Sequence, residues 1–342
     1  MDRNSIIGLV LIFAIFFGFS WWNAPSEEEK LAYQNRMDSI AIVKKELRYQ
    51  DSINRVQYNQ ENQINPAQQE SAPVMDSDVV HEQLQQKFGA FANSSVGENQ
   101  IIYVENEVMK LDFQSLGGRV RQAELINYKT NDSLPLVLFK GDTATFGFVF
   151  SAANRLIHTQ DHHFHAFIDG RPYEGQKVEI SGDDSVTISM RLFPDANQGY
   201  NQHQYIEYAY TLYGNKYMYS FNVRMKNMET LVDSRSGYID FNWSANVRNQ
   251  EKIVDRFNGS AIYYKYFQDD VDWLSDNEEE VEKLASKVKW VSFKQRFFSL
   301  SIIADNAFMN GEINQYYMPS NDPKYEMTMS TVLGIPVSNT RD

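Results

Sequence analysis

The chain has no cysteine in its 342 residues. Disulfides are therefore excluded, and so is lipoprotein processing at an N-terminal cysteine. A domain exported to an oxidising compartment would have to be held by its core alone, which is feasible at this length. Basic clusters are also missing, and the formal net charge is −13. A phosphate-binding surface needs clustered Lys and Arg, so no nucleic-acid partner is expected. After Trp22 there is no second apolar span, because the longest later stretch, Phe297 to Ala304, is far too short to cross a bilayer. The catalytic signatures G-x-S-x-G, H-E-x-x-H and a phosphate-binding glycine loop do not occur. Neither an enzyme nor a cofactor is expected.

One long hydrophobic run is present, from Ile6 to Trp22, and it carries no charge. Roughly 17 residues make about 25 Å of helix, just enough to cross a bilayer core. Ile6, Leu11, Phe13 and Phe17 lie within it, and Trp21 and Trp22 close it where amphipathic rings favour the lipid–water interface. A cleaved signal peptide would need small residues before the cut. Here the bulky Trp21 and Trp22 follow the run, and Pro25 follows Ala24 directly. The stretch therefore reads as an uncleaved signal anchor over 1–24. Arg3 precedes it and Glu27, Glu28 and Glu29 follow it, which places the N-terminus in the cytoplasm and the bulk outside.

Residues 25–95 read as a polar linker. Ser26 reads as the cap of a juxtamembrane helix or weak coiled coil whose apolar positions Leu31, Met37, Ile40, Val43, Leu47 and Ile53 form a narrow, broken stripe, and a solvated spacer fits the same residues equally well. Gln57 to Asp78 is rich in Gln, Asn, Ser and Glu, with Pro66 and Pro73, and cannot bury a core. A short helix is expected over His81 to Phe91.

From Ile101 the period is close to two, and aromatics reach 14% of the chain. Both features predict β structure over 96–342. The clearest element runs from Tyr205 to Met225. Ile206, Tyr208, Tyr210 and Leu212 alternate on one face, and Tyr217, Tyr219, Phe221, Val223 and Met225 alternate on the return. Gly214-Asn215 reads as a two-residue hairpin turn, and Glu207, Thr211, Ser220, Asn222 and Arg224 read as the polar face. The acidic run Asp269 to Glu282 reads as a solvated loop, since it lacks the ligand spacing of a Ca²⁺ site. Many short strands without a repeated helix–strand alternation predict a mainly β, antiparallel sandwich.

His158, His162, His163 and His165 cluster in sequence. On a strand, His163 and His165 would share a face, but no Cys or acidic ligand motif frames them. They read as surface or loop residues, and no metal is expected. Aromatic richness together with these histidines leaves an alternative open, a membrane-anchored carbohydrate-binding or carbohydrate-active β-sandwich.

Two stretches carry a resemblance. Met1-Asp2-Arg3-Asn4-Ser5-Ile6-Ile7-Gly8, opening straight into the apolar run, resembles the start of the YidC membrane-protein insertases of the Bacteroidetes. The segment from Lys289 to Ser299, with Trp290, Phe293, Gln295, Phe297 and Phe298, resembles a strand and turn of that family's periplasmic domain. The turn Leu116-Gly117-Gly118-Arg119-Val120 fits the same family. The resemblance implies a first span in the inner membrane anchoring a large periplasmic β-sandwich of the mutarotase-like supersandwich kind. It further implies docking against the secretion machinery. Later spans would hold a hydrophilic groove that receives nascent membrane proteins and releases them sideways into the lipid bilayer. The sequence stops at Asp342 without such spans. The expectation is a fragment without the insertion groove, single-pass as it stands, whose sheet could lack closing strands and expose an edge.

Overall fold

The computed structural model describes residues 77–196, 199–233, 237–251, 259–276, 278–318, 322 and 324–337. The expected anchor, including Ile6, Leu11, Phe13, Phe17, Trp21 and Trp22, and the linker up to residue 76 lie outside the described residues. Among the described residues no helix is long and apolar enough to cross a membrane.

The protein is mainly β. One helix, α1 (Ser77–Phe88), leads into two short 3₁₀ turns and then β1 (Ile101–Glu105), β2 (Met109–Gln114), β3 (Arg119–Lys129), β4 (Pro135–Lys140), β5 (Ala144–Ala152), β6 (Arg155–His158), β7 (His165–Ile168), β8 (Arg171–Pro172) and β9 (Val178–Glu179). The chain continues with β10 (Ser185–Leu192), β11 (Asp195–Ala196), β12 (Gly199–Tyr200), β13 (Tyr205–Tyr213), β14 (Ser220–Lys226), β15 (Tyr238–Arg248) and β16 (Ala261–Tyr266). It closes with β17 (Val271–Trp273), β18 (Glu280–Leu284), β19 (Val288–Lys294), β20 (Ser299–Phe308), β21 (Gly311–Tyr317) and β22 (Tyr325–Pro336).

These strands form a six-stranded sheet β18-β21-β22-β15-β5-β6, two five-stranded sheets, β4-β3-β2-β1-β9 and β14-β13-β10-β7-β8, a four-stranded sheet β17-β16-β19-β20 and a two-stranded pair β11-β12. Pairing is antiparallel except between β1 and β9. The six-stranded sheet buries one face, with Ile239, Phe241, Ala245 and Val247 of β15 beside Met327, Met329 and Leu333 of β22. Alternation along each strand puts these residues on that face. Part of the face is covered by β13 and β14, where Phe146 and Phe148 meet Tyr208, Tyr210 and Phe221 at ring distances of 5.1–6.5 Å. Another part is covered by β19, whose Phe293 stacks on Trp243 at 3.9 Å and 12°. The β1–β4 sheet joins the same core through Phe113, edge-on to Tyr210 at 5.0 Å. The last strand, β22, is hydrogen-bonded on both sides, by β21 and β15.

The β13–β14 pair keeps the expected faces. Ile206, Tyr208 and Tyr210 lie opposite Met225, Val223 and Phe221, and Glu207 lies opposite Arg224. Its connection is longer than a two-residue turn, because the last registered pair is Thr211 with Ser220. Gly214 answers a different need. Its N–H donates to Asp184 O at 3.0 Å, and a Cβ there would stand 2.4 Å from the carbonyl carbon of Ser181. The buried Asn106 pins the loop by donating to the carbonyls of Tyr213 and Lys216 at 2.7 and 2.9 Å. The polar face is not wholly solvated either. Glu207 is buried, accepting from Arg191 at 2.8 Å and Arg224 at 3.3 Å.

Two further expectations are revised. The acidic run is not all loop, since β17 falls within it and β18 begins at Glu280, with Val281 and Leu284 buried at the sheet edge. The polar stretch before Ile101 also reaches the core, where Phe88, Phe91 and Ala92 are buried.

Candidate functional site

The turn Leu116–Val120 lies where three segments cross. Gly117 and Gly118 both hold positive φ, +78° and +60°, a region open to glycine at little cost. Gly117 N–H donates to His162 O at 2.8 Å, and Phe164 N–H donates to Ser115 O at 2.8 Å. The Phe164 ring lies so close that a Cβ on Gly118 would sit 2.8 Å from it. The buried Tyr210 hydroxyl donates to Gly118 O at 2.9 Å. Arg119, also buried, donates to the carbonyls of Ala144 and Gly141 and pairs with the exposed Asp142 at 3.2 Å. Burial pulls the Arg119 guanidinium below its ordinary value, with Asp142 opposing. These contacts clamp the β2–β3 turn to the segment before β7.

That segment carries the histidines. His162 is fully buried rather than on the surface. Its ring meets Phe88 edge-on at 4.9 Å. Ser94 Oγ donates to Phe91 O at 2.8 Å and lies 3.0 Å from His162 Nδ1, so it accepts from an Nδ1–H. Nε2 then has no partner among the described residues, and a proton there would be buried without an acceptor. Burial, with nearby His163, His158 and Lys87, brings the ring down to about 4 against the opposing pull of the Phe91 carbonyl. His163 is half-buried, and its N–H donates to Ser94 O at 2.6 Å. His165 opens β7 and lies edge-on to Phe193 at 5.4 Å. Among the described residues no group of three or more His, Asp or Glu side chains is placed to hold a metal ion.

A pH dependence follows. The folded ring stays neutral while the unfolded one protonates near 6.5, so its contribution is complete above pH 6.5 and is lost as pH falls towards 4. Between pH 7.5 and 4.5 this group lowers the unfolding free energy by about 2–3 kcal/mol. Denaturant unfolding at the two pH values checks it. A His162→Gln chain should lose that much less stability over the interval, and equal losses in both chains would contradict the assignment.

The Lys289–Ser299 segment forms β19 and the turn into β20. Its residues divide by face. Val288, Val291 and Phe293 point into the core and are fully buried. Gln295 is buried in the turn, where its N–H donates to Phe298 O at 2.7 Å. Phe298 meets Tyr128 of β3 edge-on at 5.3 Å, tying the turn to another sheet. Trp290, Ser292 and Lys294 face outward, and Phe297 is 70% exposed at the tip, with the Arg296 guanidinium 5.6 Å from its ring. Register sets Trp290 beside Ile303, Ser292 beside Tyr263 and Ser301, and Lys294 beside Ser299. Trp273 of β17 pairs with Tyr263 in turn. A register shift between β19 and β20 lets Lys289 donate to the carbonyls of Ala304 and Asp305, each at 2.7 Å.

The sequence reading names Gly117, Gly118, Trp290, Phe293, Gln295, Phe297 and Phe298 as motif residues. It misses Tyr263, Trp273 and Ser301, which only cross-strand register brings to Trp290 and Lys294. The available signal is the alternation Trp290, Ser292, Lys294, which marks an outward row on β19.

The family described as the YidC periplasmic domain matches residues 101–340. Among curated proteins, the membrane protein insertase YidC of Parabacteroides distasonis is 30% identical over 94% of this chain and 47% of its own length. The one from a Porphyromonas gingivalis strain is 32% identical over 92% of this chain and 46% of its own. The chain thus spans about half the length of the curated relatives it matches. Among solved structures, a galactose mutarotase-like protein from Lactobacillus casei is 12% identical, with a TM-score of 0.41 over 69% of this chain and 89% of that one. With the domain match covering β1 to β22 and relatives aligned along nearly the whole chain, this chain belongs to the YidC membrane-protein insertase family and carries its periplasmic domain.

Proposed function

We propose that this chain is the N-terminal portion of a YidC-type insertase, which helps hydrophobic segments of nascent membrane proteins enter the inner membrane. In this reading residues 6–22 anchor the chain in the lipid bilayer, and the β domain lies in the periplasm as a partner-binding module that performs no chemistry. The insertion groove belongs to the half of the relatives' length that this chain does not span. Docking against the secretion machinery is the β domain's share of the work. The observation that carries the proposal is the alignment of about 30% identity along 94% of the chain. An outward row of aromatics and lysines that the core does not need is consistent with a binding role.

Two measurements test it. Depleting the full-length protein that contains this chain should stall the insertion of small membrane proteins, assayed by protease accessibility in spheroplasts. Normal insertion would sink the functional reading. The absence of cysteine makes the orientation testable as well. A single Asp132→Cys substitution at an exposed loop position should react with a membrane-impermeant maleimide while the inner membrane is intact. Labelling only after lysis would reverse the orientation.

A further inference from the structure

The outer face of the β17-β16-β19-β20 sheet has no part in the core. It forms a groove of about 280 Å³ whose lining includes Tyr263, Trp290, Ser292, Lys294 and Ser301. Tyr263 and Trp273 are stacked, their planes 19° apart with ring centres 5.7 Å from one another, and Trp273 is 55% exposed. The exposed indole gives this face an aromatic surface next to the groove. Beside it Ser292 and Ser301 share a hydrogen bond of 2.7 Å, leaving further hydroxyl capacity towards the groove.

At the registered positions of this face the charges have one sign. Lys294 stands 5.5 Å from the Tyr263 ring, and Lys265 shares the face by its register with Trp290. The registered outward positions Val271, Trp273, Tyr263, Lys265, Trp290, Ser292, Lys294, Ser299, Ser301 and Ile303 include no acid. Asp272, the acid of β17, belongs to the other side, opposite Tyr264, whose hydroxyl donates to it. In a chain of net charge −13 this is a local reversal.

We propose that this face binds a carboxylate-bearing polysaccharide, an extended anionic glycan. An exposed aromatic ring complements the C–H face of a pyranose ring, serine hydroxyls can both donate to and accept from sugar hydroxyls, and Lys294 supplies the counter-charge for a carboxylate. A neutral sugar would gain little from two lysines. An acidic peptide fits less well. The backbone groups of β16 and β19 are used by their neighbours on both sides, so an added strand could pair only at the edges, along β17 or β20, and not across the groove.

The test uses the whole chain in detergent micelles and an oligogalacturonate of about ten residues, with binding read from tryptophan fluorescence and calorimetry. Saturable binding is expected, weakened at least tenfold by Trp273→Ala and by Lys294→Gln, with unchanged melting temperatures for these outward positions. The fully methyl-esterified oligomer, which keeps the rings and loses the charge, should bind as weakly as the free acid binds Lys294→Gln. Absence of binding to the free acid overturns the proposal. Equal affinity for polyglutamate of the same length overturns it too, and points to an acidic peptide instead. Should Trp273→Ala fail to fold, Lys294→Gln decides, and unaltered affinity in that chain also refutes the assignment.

Discussion

Replacing Phe293 with alanine lowers the unfolding free energy by about 3–5 kcal/mol, the usual range for a large aromatic removed from a closed core. The side chain is fully buried, and its ring stacks on Trp243 at 3.9 Å. Trp243 sits on β15, so this contact joins the four-stranded sheet to the six-stranded one. The truncation would leave the Trp243 face without its partner and open a void between two β layers that cannot easily close. For a domain of this size, about 4 kcal/mol corresponds to a fall in melting temperature of roughly 8–16 °C. Thermal unfolding followed by circular dichroism checks it. The control lies four residues away, where Phe297 is 70% exposed at the turn, so Phe297→Ala should change stability by no more than about 0.5 kcal/mol. If both substitutions had the same effect, Phe293 would not be the inter-sheet contact described.

The contrast between these two phenylalanines also shows where sequence reading stops. Alternation in a single strand distinguishes one face from the other, and so the Tyr208–Tyr210 and Phe221–Val223 faces of β13 and β14 are legible from the residues alone. What covers a face is not. Glu207 reads as a solvated position on a polar face, yet Arg191 from the neighbouring β10 and Arg224 from β14 bracket it and bury it. Gly214 reads as a turn glycine, but the constraint there is the backbone of Ser181 and Gly182, which belongs to another part of the chain. The acidic run reads as loop because Glu278-Glu279-Glu280 dominates its composition. Val281 and Leu284, three residues apart, are too few to show the edge strand that follows. The outward groove follows the same rule. Trp290 and Lys294 can be singled out from β19 alone, whereas Trp273 and Ser301 join them only through register with β16 and β19. His162 reads as a surface residue because the Phe88 and Phe91 rings that bury it come from a stretch whose polar composition reads as linker.

Gly118→Ala should cost about 3 kcal/mol, and the cost divides into two parts that can be measured separately. One is conformational. At φ +60° an L-residue loses roughly 1–2 kcal/mol relative to glycine whatever surrounds it. The other is steric. The new methyl would sit 2.8 Å from the Phe164 ring, which is buried beneath Tyr208 at a ring distance of 4.8 Å and has little room to retreat. Overpacking of this kind adds about 1–3 kcal/mol. Gly182 isolates the first part, since its φ is +57° and an added Cβ would meet nothing within 4 Å. Gly182→Ala should therefore cost only about 1 kcal/mol, and the excess at Gly118 measures the contact with Phe164. The double variant Gly118→Ala, Phe164→Leu closes the cycle, because a smaller, more adaptable side chain should recover part of the steric cost and give a coupling of about 1 kcal/mol in denaturant unfolding. Coupling near zero, or equal losses at Gly118 and Gly182, would mean that the motif glycine answers to backbone conformation alone. The clamp between the β2–β3 turn and the segment before β7 would then rest on the hydrogen bonds of Ser115, Gly117 and Tyr210.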